Sequence, residues 1–226
     1  MPELKIIAHI RTDFDTKFGI PRQSGLVKGL KGEIVFEPEF RNIEAFRGLE
    51  GYSHIWLLWD FSLAHREDDG WSPTVRPPRL GGNRRMGVWA TRSPFRPNNI
   101  GLSSVRLLDI QLHTPQGPKL IVEGADLMDG TPIYDIKPYL PFTDSHPDAT
   151  GGFAEEQFRT FTPMSVIVPD SMRSTFSDEQ IDTIKELLAA DPRPHYHNED
   201  ERIYTMSYAG REIRFRATNN TIIIVG

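Results

Sequence analysis

The shortness of its apolar runs constrains this chain more than any other feature. In the first two thirds they read LKIIAHI (4–10), GEIVFE (32–37), HIWLLWDF (54–61), MGVWAT (86–91), LSSVRLLDIQLHT (102–114) and KLIVEGADL (119–127). Gly and Pro close these runs where helix caps would otherwise stand, and NIEAFRGLEGY (42–52) between them suits a short helix or turn. Runs of strand length with turn signals between them predict a barrel or a sandwich. A second part follows the Pro-, Gly- and acid-rich stretch DSHPDATGGFAEEQ (144–157), which reads as a linker. There MSVIVP (164–169) predicts a strand, and STFSDEQIDTIKELLAADPRP (174–194) predicts a helix. Ser177 serves as N-cap with Gln180 three residues on, Ile181, Ile184, Leu187 and Leu188 share one face, and Asp191-Pro192 ends the helix. RIYTMSY, REIRFRA and TIIIVG then form a meander turning at Ala209-Gly210 and Asn219-Asn220. The expected class is mainly β, α+β overall. Residues 1–150 are expected to form a β domain, and residues 151–226 a smaller one with one helix and a meander.

Several chemistries are excluded by what the chain lacks. It has no cysteine, so thiolate metal sites and disulfides are out. His195 and His197 in HYHNEDE lack an implied third ligand, and His54 reads as a strand-edge histidine, so no metal is expected. No G-x-S-x-G, P-loop or H-E-x-x-H occurs, and no G-x-G-x-x-G follows a strand, so a nucleotide-like cofactor has to sit on loops of the β scaffold. The start, MPELKIIAHI, has no cationic region before a long apolar one, and no stretch approaches a membrane span, so a cytoplasmic protein is expected.

The net charge of −5 hides an asymmetry. From Ser72 to Arg106 there are seven arginines, Arg76, Arg79, Arg84, Arg85, Arg92, Arg96 and Arg106, and no acid; the rest of the chain holds 19 basic against 31 acidic residues. Local positive potential is what an anionic ligand meets.

Three polar stretches interrupt the strands. KFGIPRQSGL (17–26) presents Arg22 and Gln23 after a proline that pre-sets the backbone, either to a ligand or as an ordinary surface loop. SPTVRPPRLGGNRR leading into GVWATRSPFRPNNIGLSSVRL combines arginines, which bind carboxylates and phosphates bidentately, with prolines that reduce the entropy lost on ordering. DLMDGTPIYDIKPYLPF (126–142) has a strong turn signal at Asp129-Gly130-Thr131-Pro132 and crowds Asp126, Asp129 and Asp135 with Lys137. It is either a charged hairpin or a place where carboxylates accept ribose hydroxyls.

In order and spacing, PRQ (21–23), RGLEGYSHIWLLWDF (47–61), TVRPPRLGGN (74–83), GVWATRSPFRPNNIGLSSVRL (87–107) and DLMDGTPIYDIKPYLPF closely resemble the TsaA-like, or TrmO, family, and DPRPHYH with its following strand resembles the C-terminal domain of its bacterial members. The resemblance implies a small antiparallel β-barrel that binds S-adenosylmethionine without a Rossmann fold, usually as a homodimer. It implies methylation of the exocyclic nitrogen of N6-threonylcarbamoyladenosine at position 37 of threonine tRNA. Residue by residue, Pro21, Arg22, Gln23, Arg92, Leu102, Asp129, Gly130, Thr131 and Pro132 match its cofactor contacts. Relatives commonly read RPNPIG where Asn99 stands here. They often carry a histidine directly after W-x-F, where this chain has Ser62, with His65 nearby, so both are cofactor candidates.

The expected roles follow. Arg92 holds the cofactor carboxylate or an RNA phosphate, the backbone around Leu102 meets the adenine, and Asp129 with Thr131 meets its polar edges. Arg76, Arg79, Arg84, Arg85 and Arg96 form a rim facing the tRNA anticodon loop. Trp71, Trp89 and Phe95 are candidates either for stacking on splayed bases or for the core, and Trp89, inside an expected strand, is expected in the core. Asp129, Asp135 and Tyr139 are possible proton acceptors, and no catalytic base is assigned. A non-catalytic RNA-binding or cofactor-sensing module, or a methyltransferase for a small molecule, would carry the same loops. REIRFR places Arg211, Arg214 and Arg216 near one another, a further hint of RNA.

Overall fold

The computed structural model describes residues 3–65, 71–77, 84–193 and 202–226. Six strands close into an antiparallel barrel: β1 (Ala8–Arg11), β2 (Lys31–Phe36), β3 (His54–Asp60), β6 (Ile100–Gln111), β7 (Lys119–Glu123) and β8 (Pro132–Pro138), in the order β1-β2-β7-β6-β3-β8. Two short strands, β4 (Thr74–Val75) and β5 (Met86–Gly87), pair with each other. Period-two alternation sets which side chains enter the barrel. Ile55, Leu57 and Trp59 of β3 point in with Ile10, Ile34, Val105, Leu120, Val122 and Ile133.

Two departures from the expected strands bear on the site. DLMDGTPIYDIKPYLPF has the letters of a polar stretch or charged hairpin, yet its second half is β8, which closes the barrel by pairing with β1 and β3. Its Asp135 and Lys137 form an outward ion pair of 2.8 Å, so the polar letters mark one face of a strand. MGVWAT, expected as a strand, is only β5 followed by a single 3-10 turn, Val88–Ala90. Trp89 therefore does not enter the core but stands 67% exposed.

The C-terminal part is a four-stranded sheet in the order β10-β11-β12-β9, formed by β9 (Ser165–Ile167), β10 (Tyr204–Tyr208), β11 (Arg211–Thr218) and β12 (Thr221–Ile224). The meander is as expected, and β9 adds to it parallel to β12. Its first turn uses left-handed Ala209 (φ 51°) and Gly210 (φ 68°), the geometry that matches strand twist in a two-residue hairpin. Helix α3 (Asp178–Ala189) covers this sheet with the expected capping box at Ser177 and Gln180. The stretch expected as a linker carries the end of one helix and the start of another: α1 (Pro141–Asp144) and α2 (Gly152–Thr160) follow β8 and precede β9 in the chain.

Among the described residues there are two cores. One fills the barrel. The other lies between α3 and the C-terminal sheet and draws in Phe14, Val27 and Leu30 from the segment between β1 and β2. That segment, which carries Pro21, Arg22 and Gln23, thus lies against both parts.

Candidate functional site

A cavity of about 660 Å³ opens at one end of the barrel, within the usual range for small-molecule sites. Four stretches build it: the Lys17–Gln23 segment, the end of β3 through Ala64, the loop from Thr91 into β6, and Asp126–Thr131 before β8.

The floor is apolar because β3 and β6 interlock there. Trp59 faces Gly101 across the ladder, and a Cβ on Gly101 would fall 2.2 Å from the indole. Only glycine leaves room for the ring to lie across the strand. Phe61 packs on the same indole with centroids 4.2 Å apart. A bulge between Leu58 and Trp59 in the β3–β8 ladder aligns Trp59 with Ile133 and leaves Tyr134 unpaired in register.

Polar groups converge above this floor. Trp59 Nε1 donates to Ser103 Oγ at 3.0 Å, and Ser103 Oγ donates to Asp126 Oδ1 at 2.5 Å. Burial raises the Asp126 carboxyl above the ordinary carboxylate range, against the opposing hydrogen bond from Ser103 and the charge of Arg92. Asp60, at the end of β3, lies 2.8 and 3.0 Å from His65 Nε2 through its two oxygens. Tyr134 is pushed up to about 12, first by burial and then by its hydrogen bond to the Asp60 carboxylate. Arg92 Nη1 also donates to Gln23 Oε1, and Gln23 Nε2 donates to the Arg22 carbonyl at 2.5 Å.

Of the cofactor candidates, Pro21, Arg22, Gln23, Ser62, Arg92, Leu102 and Thr131 line this cavity. Thr131 donates its hydroxyl to the Met128 carbonyl at 2.7 Å, which shapes the turn. His65, Asp129, Gly130 and Pro132 are not among the lining residues. Asp129 is engaged elsewhere: Oδ1 accepts from Thr12 N at 3.0 Å and Oδ2 from Arg11 Nη1 at 3.3 Å. Gly130 makes the turn at φ 74°, Pro132 opens β8, and His65 reaches the site through Asp60. Asp60 and Trp59 are wall residues that the motifs did not single out, and of the three carboxylates crowded in DLMDGTPIYDIKPYLPF only Asp126 joins them in the lining. Asp60 ends an apolar run and Asp126 lies in the irregular segment after β7, and only barrel closure brings them together. Asp135, paired with Lys137, and Tyr139, whose ring packs near Trp56 and His54, lie outside the lining.

Beside the cavity mouth, Trp71 and Trp89 form an exposed indole pair, 5.6 Å between centroids, and Phe95 is exposed nearby in sequence. Arg96 packs over the Trp89 ring and donates to the Thr91 and Val88 carbonyls at 2.7 and 3.3 Å, so it braces the loop as well as lining the cavity. Arg76, Arg84 and Arg85 are exposed. Arg79, His195 and His197 lie outside the described residues. On β11, Arg214 and Arg216 share the exposed face, with Arg211 exposed at the strand's start.

The chain that carries this cavity matches known proteins over nearly all of its length. Residues 9–145 match the family model of the tRNA-methyltransferase O N-terminal domain, and residues 162–226 that of the TrmO C-terminal domain. The chain is 41% identical over 219 residues to the tRNA (adenine(37)-N6)-methyltransferase of Escherichia coli (strain K12), covering 94% of this chain and 92% of that protein. It is 36% identical over 142 residues to a protein of Methanothermobacter thermautotrophicus named "Probable S-adenosyl-L-methionine-binding protein", covering 63% of this chain and 93% of that one. A crystal structure of TrmO superposes with a TM-score of 0.78 at 32% identity, over 99% of this chain and 97% of that one. Barrel and C-terminal sheet each find their counterpart, in the same order along the chain, and the protein belongs to the TrmO family.

Proposed function

We propose that this cavity holds S-adenosylmethionine and that the chain methylates the exocyclic nitrogen of adenosine 37 in tRNA. Its substrate on this reading is the N6-threonylcarbamoylated nucleotide of threonine tRNA. Residues 1–150 then form the catalytic domain and residues 151–226 a second domain. The chain works in the cytoplasm, as a homodimer. The single observation that carries the reading is the convergence of Arg22, Gln23, Arg92 and Leu102 with two carboxylates over an aromatic floor. The relatives' names support it.

The residues fit the cofactor. Trp59, Phe61 and Leu102 offer flat and aliphatic surface for an adenine ring, Arg22 and Arg92 would hold a carboxylate, and Asp60 and Asp126 would accept from amino groups. When bound, the sulfonium supplies an electrophilic methyl group. The protein contributes position: holding the attacking nitrogen close and aligned supplies up to about 7–11 kcal/mol of the barrier. An exocyclic nitrogen conjugated with a purine is a poor nucleophile until it loses its proton. Asp60 and Asp126 are the carboxylates in the wall, and Asp60 is tied to His65, whose half-exposed ring passes a proton toward solvent. Trp71, Trp89 and Phe95 receive splayed anticodon-loop bases, and Arg76, Arg84 and Arg85 meet the phosphates.

The test is methyl transfer onto threonine tRNA with and without the threonylcarbamoyl group, read by nucleoside mass spectrometry. Methylation of the modified tRNA alone is expected. Methyl incorporation only into unmodified tRNA would overturn the substrate, and tRNA binding with no transfer would mark a non-catalytic module. Homodimerisation is read by sedimentation equilibrium, where a monomer at assay concentration counts against it.

A further inference from the structure

The segment that presents Pro21, Arg22 and Gln23 has little stiffness of its own. Among the described residues, 12–30 contain no strand or helix, and Gly19, Gly25 and Gly29 sit at φ 99°, 75° and 78°. Its geometry is imposed from outside. The barrel contributes Asp129, which accepts from Thr12 N, and the Gly124 carbonyl, which accepts from Gly25 N at 2.9 Å.

Contacts from the C-terminal part run along its whole length. Ala209 N donates to the Asp13 carbonyl at 2.9 Å, and Ser207 Oγ to Asp15 Oδ2 at 3.1 Å. Phe18 stacks on Tyr204 and Phe215. A Cβ on Gly19 would lie 2.4 Å from Met206 Sδ, so the chain passes directly over β10. Lys28 N donates to Glu186 Oε2 at 2.8 Å. Arg22 itself donates through Nη2 to the Asp191 carbonyl at 3.3 Å.

Asp191 is unusual for the place it occupies. It follows α3 in the left-handed region, φ 49°, where glycine is the ordinary residue. Its side chain is gripped at two points by Arg193, Nε to Oδ1 at 2.8 Å and Nη2 to Oδ2 at 3.0 Å, with both side chains largely buried. The grip and the left-handed backbone together fix where the Asp191 carbonyl points. It meets a guanidinium at the C-terminal, electronegative end of α3.

We propose that Asp191 is a positioning residue of the cofactor cavity, acting through Arg22, and that the C-terminal part thereby supports, from outside the cavity, the wall that Arg22 belongs to. The inference rests on the reading of the cavity as the S-adenosylmethionine site. The backbone at 191 carries the effect, so two substitutions that both remove the carboxylate separate it from mere stability. Asp191→Val cannot hold the left-handed conformation and turns the carbonyl away, whereas Asp191→Gly keeps that conformation.

The measurement is S-adenosylmethionine affinity of the full chain by calorimetry, with thermal unfolding in parallel. Asp191→Val is expected to weaken binding about three- to tenfold, the scale of one hydrogen bond, and Asp191→Gly to restore most of it. Arg193→Met leaves residue 191 itself unchanged and should weaken binding in the same direction, which keeps the test available if the valine variant does not fold. Arg22→Ala is the reference. If it lowers affinity while Asp191→Val and Arg193→Met leave it unchanged, the positioning role is wrong. If Arg22→Ala leaves affinity unchanged, the cavity reading fails and takes the inference with it.

Discussion

Gly101 shows how one residue decides the floor of the cavity. A methyl group there meets the Trp59 indole at 2.2 Å, and a packed barrel cannot yield that distance freely. Gly101→Ala should cost about 1–3 kcal/mol, as overpacking does, and pull Trp59 Nε1 off Ser103. Urea unfolding gives the cost, and a shift of tryptophan emission the displacement. Arg92→Ala should abolish methyl transfer with the fold intact by circular dichroism; near-normal turnover would remove Arg92 from the site. Asp126 carries opposite expectations for stability and activity. Its folded carboxyl is raised, so its protonated form is the one folding favours, and that contribution is present in acid and lost as pH rises through the raised value. Asp126→Asn should therefore be more stable than the parent at neutral pH and no more stable in acid, while methyl transfer falls. Thermal melts across pH against the parent check the first, and a radiolabel assay the second.

At the scale of elements, legibility followed alternation and capping. β2 and β3 were readable because inward residues repeat every second position, and α3 because Ser177 and Gln180 close a capping box over a single apolar face. β8 was hidden because Pro132, Asp135, Lys137 and Pro138 look like a loop until both neighbouring strands are known. The 3-10 turn at Trp89 was hidden for the converse reason: aromatic and β-branched letters favour a strand, but β5 finds only two residues of β4 to pair with. Asp144 ties α1 to the barrel by accepting from Leu140 N at 2.9 Å and Trp56 Nε1 at 2.8 Å. These hydrogen bonds, the Leu140 amide first, hold its carboxyl below the ordinary range. The contribution is present above the unfolded value and disappears as pH falls through the depressed folded one. Tryptophan emission should therefore change with a midpoint below ordinary carboxylates, and Asp144→Asn should remove that transition.

For the whole molecule, charge distribution matters more than net charge. A chain of net charge −5 repels a polyanion on most of its surface, so the proposed function requires tRNA to approach by the arginine-bearing loops. Each phosphate contact on a single strand contributes a log–log salt slope of about −0.7. Replacing both Arg84 and Arg85 by Ala should flatten the slope of tRNA affinity by about 1.4 on that scale, whereas Trp89→Ala should weaken binding with the slope unchanged. Filter binding at several salt concentrations distinguishes the two.

The sequence by itself determined what is local in origin: the strands that alternate, the capped helix, the turns that need Gly or Asn, and the loops in which arginines stand without acids. Those follow from side-chain sterics and hydrogen bonding within a few residues. Tertiary structure alone decided which polar groups share a cavity. Barrel closure pairs Ala8 with Ile133, and the ladders of β3 with β6 and β8 bring the end of β3, with Asp60, beside the segments that carry Arg92 and Asp126 around one cavity. It also decided that α3, more than 150 residues further along the chain, holds the Arg22 segment. Such contacts depend on register and core packing across distant elements, which no short window of letters contains.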